Sequence, residues 1–252
     1  MQPLEMALEA ALLVIQNGGS TVAAERSLRN ILTGFRQEGV VSIWRLDFIG
    51  AWSTANGPSS MVVRPVGPIG VNLARASEVA ALGRRAAKGQ VEPAALGSEL
   101  TRIRNLPAPY NRGVMIVGAA CAAAAFSQLP GGDWGSLAIA FVAAGVGQFL
   151  RSLLQARKMA VVPVTLACAA LSACIGSTGL RLGLSQTAPP ALLASVIYLV
   201  PGLPLINGFI DVASHKHLVV GIERIANATF LFLVIAIALV MAVLLLGPGE
   251  AL

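Results

Sequence analysis

The residues best suited to chemistry lie in one apolar stretch late in the chain. Between Pro189 and Ile210 the sequence is uncharged and mostly apolar over about one membrane thickness, and Pro201-Gly202-Leu203-Pro204 stands in its middle. Proline removes a backbone donor and clashes with the preceding turn, so these residues predict a broken helix with carbonyls freed at bilayer depth. Such carbonyls, with the positive end of the second half-helix, could hold a polar solute. The alternative is a simple proline kink that neighbouring helices satisfy.

Polar side chains follow the predicted break. Asn207 and Asp211 are one helical turn apart and therefore share a face. Asp211 could bind a proton or a cation, or it could be a helix-end carboxylate in cytoplasmic water. Pro204 is suited to open the second half-helix, because its missing amide would be unpaired there anyway. The amides near Leu205 would then present partial positive charge, for which a carboxylate is the natural guest.

Two further pairs complete the candidate binding residues. Ser195 and Tyr198 precede the break and could hydrogen-bond a solute or cap neighbouring carbonyls. Gln148 and Arg151 lie three residues apart and could meet a carboxylate, although Arg151 also suits a simple cytoplasmic anchor. The full candidate set is Gln148, Arg151, Ser195, Tyr198, Pro201, Gly202, Pro204, Asn207 and Asp211.

The sequence offers no recognisable catalytic constellation. Its three aspartates, Asp47, Asp133 and Asp211, are far apart, and the two histidines, His215 and His217, lie in a predicted cytoplasmic loop where solvated side chains are typical. A role for those histidines as ligands or in a proton relay is the alternative. The three cysteines fall in apolar segments with no zinc spacing, and no glycine-rich loop has phosphate-binding spacing. We therefore predict no enzyme activity, metal or cofactor.

The composition predicts an α-helical membrane protein preceded by a small cytoplasmic α/β (α+β) domain. Hydrophobic residues make up 56% of the 252 residues and charged residues 12%, far below the roughly 25% charged content of soluble domains. Residues 1–109 are polar enough for an aqueous domain, and residues 110–252 hold the long apolar runs. The net charge of +6 lies beside apolar spans and aromatics are only 5%, so nucleic-acid binding is not expected.

The first domain shows both helical and strand periods. Leu4, Leu8, Ala11, Leu12 and Ile15 predict a first helix, and Ser20 is a suitable N-cap for a second. Trp44, Leu46 and Phe48 alternate with polar residues and predict a half-buried strand, followed by a turn at Asn56-Gly57-Pro58 and a strand at Met61 to Arg64. A third helix is predicted from Val71 to Lys88 and a fourth from Pro93.

Five membrane spans are predicted after a stiff Leu106-Pro107-Ala108-Pro109 linker. They are placed near Gly113–Leu129, Trp134–Leu150, Met159–Leu180, Pro190–Ile210 and Ile225–Gly247. The positive residues that flank them are Arg102, Arg104, Arg112, Arg151, Arg157, Lys158, Lys216 and Arg224. Because basic loops stay in the cytoplasm, the amino-terminal domain is predicted to be cytoplasmic and the carboxyl end periplasmic or extracellular.

Three short motifs resemble the threonine/serine exporter family. They are Gln16-Asn17-Gly18-Gly19-Ser20, Gly131-Gly132-Asp133-Trp134 and, most specific of the three, Val200-Pro201-Gly202-Leu203-Pro204-Leu205-Ile206-Asn207. The resemblance covers nearly the whole chain. Full-length members fuse this half to a second hydrophobic half, whereas this sequence has five predicted spans. It therefore resembles the larger subunit of the split, two-subunit form, as in the bacterial succinate exporter pair.

The resemblance implies export of small carboxylate-bearing metabolites across the inner membrane, either dicarboxylates such as succinate or amino acids such as threonine and serine. It also implies a separate small hydrophobic partner subunit, because an odd five-span chain is unlikely to form a repeat interface alone. Homo-oligomerisation is compatible with this. The competing hypotheses are a non-transporting membrane scaffold whose soluble domain recruits a cytoplasmic protein and a membrane-attached hydrolase, which the missing nucleophile and base disfavour.

Overall fold

The structure, a computed structural model, describes residues 2–37, 39–53 and 61–246. The chain divides into two compact units, each built from two stretches of sequence. The first unit combines Met1–Pro109 with Gly202–Asn227. The second combines Tyr110–Pro201 with Ala228–Leu252. The division of the sequence into folding domains at residue 109 stays a prediction.

The first unit packs helices around a three-stranded sheet. Its elements are α1 (Pro3–Gln16), α2 (Thr21–Gly34), β1 (Val40–Trp44), β2 (Phe48–Ser53), β3 (Met61–Pro65), α3 (Leu73–Ala87), α4 (Pro93–Arg104), α9 (Gly202–Ala213) and the first part of α10 (Leu218–Leu246). Helix α1 is the centre of the core. The predicted apolar face is buried, and so are Met6, Ala7 and Ala10 on its other sides. The polar residues Glu5, Glu9 and Gln16 are half-buried, so α1 packs against its neighbours over most of its surface.

The N-cap predicted at Ser20 and the helix start predicted at Pro93 are confirmed, and the structure adds a cap at Asn72. The Ser20 hydroxyl accepts a hydrogen bond from the Ala23 amide at 3.2 Å, which satisfies a free donor at the start of α2. Asn72 does the same for α3, and Gly89 follows that helix with φ of 68°. Pro93 stands in the first turn of α4.

The sheet corrects one prediction. Strands β1, β2 and β3 pair antiparallel in chain order, with Trp44 opposite Ile49. A single strand through Trp44, Leu46 and Phe48 is therefore wrong, because the chain reverses between Trp44 and Phe48. The Arg45 amide donates to the Phe48 carbonyl at 3.0 Å and closes this tight turn. The strand predicted near Met61 is confirmed as β3, and the predicted Asn56-Gly57-Pro58 turn lies outside the described residues.

The second unit is helical. Its elements are α5 (Arg112–Gln128), α6 (Trp134–Ala156), α7 (Val161–Arg181), α8 (Ala188–Val196), a 3₁₀ turn at Ile197–Leu199 and the remainder of α10. Its largest core cluster combines Val164, Val196, Leu199 and Ile235 with the small residues Cys168, Ala169 and Ala173 of α7 and Ala238 and Ala242 of α10. Small side chains let helix backbones approach closely, as is usual in membrane helix packing.

The described residues contain three helices long and apolar enough to cross a membrane: α6, α7 and α10. The broken pair formed by Ala188–Leu199 and Gly202–Ala213 would be a fourth. The five predicted spans are therefore not confirmed. Helix α5 has 17 residues, fewer than the roughly 20 that a bilayer requires.

The predicted helix break is confirmed. Helix α8 passes into the 3₁₀ turn, Val200 has extended backbone with φ of −58° and ψ of 125°, and α9 begins at Gly202. Pro204 is the third residue of α9 and so lies in its first turn, where its missing amide leaves no helical hydrogen bond unmade.

Candidate functional site

A glycine turn in the first unit places the amino terminus of α2. Helix α1 ends at Gln16, and Gly18 has φ of 91°, a left-handed conformation that favours glycine. A Cβ atom on Gly18 would also lie 2.9 Å from the Leu203 side chain of α9. The Gln16-to-Ser20 motif therefore allows both the sharp turn and the close approach of α9. It leaves the first amides of α2 directed at that helix.

Asp211 of α9 occupies this helix terminus. Its side chain has no exposed surface. Carboxylate oxygen Oδ2 accepts from the Thr21 hydroxyl at 2.8 Å and the Thr21 amide at 3.3 Å, and Oδ1 accepts from the Val22 amide at 3.2 Å. A negative charge at the positive end of α2 is favourable. The proposal of a carboxylate in cytoplasmic water is therefore wrong, because Asp211 is enclosed by donors from residues about 190 positions earlier.

Arg224 supplies the counter-charge for Asp211. Its Nε lies 3.3 Å from Asp211 Oδ2, and the arginine side chain is 6% exposed. The terminal nitrogens donate longer hydrogen bonds, to the Gly19 carbonyl at 3.4 Å and the Thr21 hydroxyl at 3.5 Å. The Nε–H group is not aligned for a hydrogen bond with any described acceptor, so the attraction at Nε is ionic. We call Thr21, Val22, Asp211 and Arg224 the Asp211 cluster.

Asn207 supports the same arrangement. Its side-chain amide donates to the Gly18 carbonyl at 2.8 Å, and the residue is buried. Asn207 and Asp211, predicted to share a helix face, thus both contact the segment from Gly18 to Val22. Gly208 and Gly221 let α9 and α10 pack tightly here: a Cβ on Gly221 would lie 2.8 Å from the Val212 amide nitrogen.

Sequence reasoning identified Asp211 and missed the other three members of the Asp211 cluster. Arg224 was assigned to a cytoplasmic loop, but it is the seventh residue of α10 and is buried. Thr21 and Val22 are absent from the predicted site residues. The available signal was the glycine turn and N-cap before α2, which mark an anion-attracting terminus, but nothing local identifies its partner.

The two histidines differ from each other, and only His217 departs from its prediction. His215 is exposed, with φ of 56°, as expected of a loop residue. His217 is buried, its Nε2 lies 2.9 Å from Glu25 Oε2, and its ring meets Trp44 edge-on at 5.8 Å. Solvation is therefore wrong for His217. Among the described residues, no three His, Cys, Asp or Glu side chains are grouped to hold a metal ion.

The acidic residue of α10, Glu223, contacts the turn between β1 and β2. Glu223 Oε1 lies 2.5 Å from Arg45 Nη2, and Oε2 accepts from the Leu46 amide at 3.2 Å. Two neighbouring residues, Glu223 and Arg224, thus attach the start of α10 to the β1–β2 turn and to the α2 terminus.

We expect Glu25→Gln to destabilise the chain at neutral pH and to have less effect in acid. Burial raises the pKa of Glu25, but hydrogen bonds from Arg29 and His217 outweigh it and hold the pKa below 4.5. A carboxyl with a lowered folded pKa stabilises fully above its unfolded pKa, and that stability is lost as the pH falls through the folded value. The expected loss at pH 7 is about 1–2 kcal/mol.

Thermal unfolding of the full chain in detergent between pH 7 and pH 3 measures this difference. Glu92→Gln is the matched control, because Glu92 is exposed and makes no side-chain cap of α4. A difference in melting temperature between the wild type and Glu25→Gln that stays constant down to pH 3 would contradict the expected pH dependence.

In the second unit, Arg151 hydrogen-bonds a backbone carbonyl just before the helix break. Its Nη1 donates to the Tyr198 carbonyl at 3.4 Å. The Tyr198 hydroxyl lies 3.0 Å from the Ser172 hydroxyl, which donates to the Ala143 carbonyl at 3.0 Å. Arg151 therefore hydrogen-bonds the irregular backbone next to the break.

Three other candidate residues, Ser195, Gln148 and Pro201, form no hydrogen bond with a charged group in the described part of the chain. The Ser195 hydroxyl donates to the Leu192 carbonyl at 2.6 Å, so it satisfies its own helix, one of the two roles predicted for it. Gln148 is half-buried on α6 and Pro201 is buried. Gly147, next to Gln148, must remain small, because a Cβ there would collide with the Tyr198 and Ser172 hydroxyls.

Asp133 organises the opposite end of α6. Its carboxylate accepts from the Ser185 hydroxyl at 2.6 Å, the Gln186 amide at 2.7 Å, the Ser136 amide at 2.7 Å and the Thr187 hydroxyl at 3.1 Å. The Ser185 hydrogen bond and the other donors hold the pKa of Asp133 well below its ordinary value of 3.8. The Gly-Gly-Asp-Trp motif is thus a helix cap that also fixes the loop before α8.

Long apolar helices and an interrupted helix with the half-buried Arg151 beside it are the features of an integral membrane protein of the transporter class. The chain belongs to the ThrE family of putative threonine/serine exporters, whose sequence model matches residues 5–246. It is accordingly a membrane exporter and not an enzyme.

Two curated relatives match nearly end to end. The probable succinate transporter subunit YjjP of Klebsiella aerogenes is 28% identical over 243 residues, covering 96% of this chain and 93% of the relative. The protein of the same name from Escherichia coli (strain K12) is 26% identical over 245 residues, covering 96% and 94%. No solved structure matches the chain significantly.

Proposed function

We propose that the chain is one subunit of a two-subunit secondary exporter that moves small carboxylate-bearing metabolites outward across the inner membrane. The observation that carries the proposal is the nearly full-length similarity to two proteins named as probable succinate transporter subunits. The second subunit is a small hydrophobic membrane protein that supplies the other half of the repeat interface.

Succinate-type dicarboxylates are the favoured cargo, with threonine or serine as the second candidate. The names of the two relatives support a dicarboxylate cargo. Arginine is well suited to bind a carboxylate, and Arg224 in the first unit and Arg151 in the second each contact a residue of the proposed binding set. An amino acid would instead need one anion site and one cation site.

The proposed substrate-contacting residues are those of the sequence prediction, considered within each unit. In the second unit, Ser195, Tyr198 and Pro201 precede the helix break, Arg151 contacts Tyr198, and Gln148 lies about one turn before Arg151 on α6. In the first, Gly202 and Pro204 begin α9, and Asn207 and Asp211 follow on its buried face. The amino-terminal domain is proposed to face the cytoplasm, since the basic residues Arg112, Arg157 and Lys158 stand at the ends of apolar helices on that side.

Metabolite efflux tests this function. Cells that lack their own succinate and threonine exporters would express the chain with its membrane partner, be loaded with labelled succinate or threonine, and be followed for release. We expect succinate release above that of cells with an empty vector. Pro204→Ala, Asn207→Ala and Asp211→Asn should each reduce it, while the exposed control Glu92→Gln should not.

Protein abundance in the membrane is measured alongside, so that loss of efflux is separated from loss of the protein. Release of threonine without release of succinate would show that the cargo is an amino acid and not a dicarboxylate. Release of neither, from purified chain plus partner in liposomes as well as from cells, would favour the scaffold hypothesis instead.

A further inference from the structure

We infer that the Asp211 cluster is a carboxylate-binding site in which Asp211 acts as an intramolecular ligand, and that the cargo carboxylate binds by replacing it. This inference rests on the proposed function for the identity of the cargo. It adds the location of one anion site and the group with which cargo must compete.

The donor set is that of a carboxylate receptor. Two amides at the start of α2 and the Thr21 hydroxyl converge on the two oxygens of one carboxylate at 2.8–3.3 Å. Helix α2 has 14 residues, long enough for its terminus to carry a substantial partial positive charge. Any ligand that places a carboxylate at this position can use the same three donors.

The arginine is the second, independent observation. Arg224 is 5% exposed, and its Nε–H group lies 3.3 Å from the carboxylate without an aligned acceptor among the described residues. A purely structural ion pair would be expected to use aligned hydrogen bonds, since buried charges are costly unless fully satisfied. An arginine with an unused donor directed at a carboxylate retains capacity for a second carboxylate oxygen.

An internal carboxylate lowers the apparent affinity for an external one. Asp211 is held near the donors by the chain, so its effective concentration is at least in the range of about a millimolar that short tethers give. A free carboxylate must exceed that concentration to compete. Removing the Asp211 carboxylate should therefore increase the affinity of the site for a free carboxylate. A free carboxylate bound there should remake the hydrogen bonds to Thr21 and Val22 and the ion pair with Arg224.

The experiment is carboxylate rescue of the purified full chain in detergent. Asp211→Ala leaves a space of carboxylate size beside Arg224, and sodium formate is the probe. At about ten times its dissociation constant, formate should raise the melting temperature of Asp211→Ala by about 3–5 °C. Sodium chloride at equal ionic strength should raise it by less than about 1 °C, and formate should shift the wild type less than the variant.

Asp133→Ala is the matched control. Asp133 also caps a helix and accepts four hydrogen bonds, but its partners in the described chain are neutral. Formate should not rescue Asp133→Ala beyond the chloride effect. The double variant Asp211→Ala/Arg224→Met should lose the formate response of the single variant.

Asp211→Asn covers the case in which the alanine variant does not fold. It keeps the size of the side chain and removes its charge, so its formate shift should lie between those of the wild type and Asp211→Ala. Succinate should shift Asp211→Asn as well, if the cargo is a dicarboxylate.

The inference would be overturned if formate and chloride shifted the melting temperatures of both Asp211 variants equally, or if the formate shift persisted without Arg224. Asp211 would then have only a structural role. Efflux of succinate by the wild type would still support the exporter. Conversely, rescue without any efflux would keep the carboxylate site and remove the proposed transport role.

Discussion

Arg224→Met is expected to lower the free energy of unfolding by about 3–5 kcal/mol, the largest effect of any substitution considered for this chain. The change keeps much of the volume of the side chain but removes the positive charge 3.3 Å from the buried Asp211 carboxylate. The three hydrogen bonds from Thr21 and Val22 would remain, yet a fully buried carboxylate would lose its counter-ion. Denaturant unfolding in detergent measures the loss.

Arg102→Met is the matched control for that measurement. Arg102 also pairs with carboxylates, those of Glu78 and Glu99, but it is exposed, where ion pairs contribute little. Combining Arg224→Met with Asp211→Asn should cost less than the sum of the two single changes, because both remove the same interaction. A loss for Arg224→Met no greater than that for Arg102→Met would show that the pair contributes little to folding.

Asp133→Ala is expected to cost about 2–4 kcal/mol through the loss of a helix cap and of charge-assisted hydrogen bonds. The carboxylate holds the start of α6 through Ser136 and the loop before α8 through Ser185, Gln186 and Thr187. Gly135 shows how close these segments are, because a Cβ there would collide with the Leu184 carbonyl. Thermal unfolding of the purified chain at pH 7 is the measurement.

Asp133→Asn isolates the charge at this site. It should fall between the wild type and Asp133→Ala at pH 7. Since hydrogen bonding lowers the pKa of Asp133, the contribution of its charge is complete above the unfolded pKa of 3.8 and decreases only as the pH falls below it. An advantage of the wild type over Asp133→Asn that disappears between pH 7 and pH 5 would contradict this assignment.

Much of the local structure follows from short-range patterns in the sequence. The Ser20 cap, the strand near Met61, the start of α4 at Pro93 and the break after Leu199 were all predictable, because capping, turn chemistry and proline geometry act over a few residues. The hairpin turn after Trp44 was not. Its alternating residues have the strand period, and only pairing with β2 shows where the chain reverses.

The candidate site was predicted in part for the same reason. Asn207 and Asp211 were identified by their spacing, and both lie on the buried face of α9. Their partners were not identified, because Gly18 and Thr21 precede them by about 190 residues. His217 shows the same limit: nothing near it in sequence indicates that Glu25 and Trp44 will enclose it.

The sequence by itself determined the class of the protein, its apolar helices and the interruption in one of them, since hydrophobicity, capping and proline act locally. Tertiary structure alone decided that the Asp211 carboxylate lies at the amino terminus of α2 with Arg224 beside it. The physical reason is that a buried charge is stable only beside hydrogen-bond donors and a counter-charge. Here those groups come from segments far apart in sequence, so their positions depend on tertiary packing.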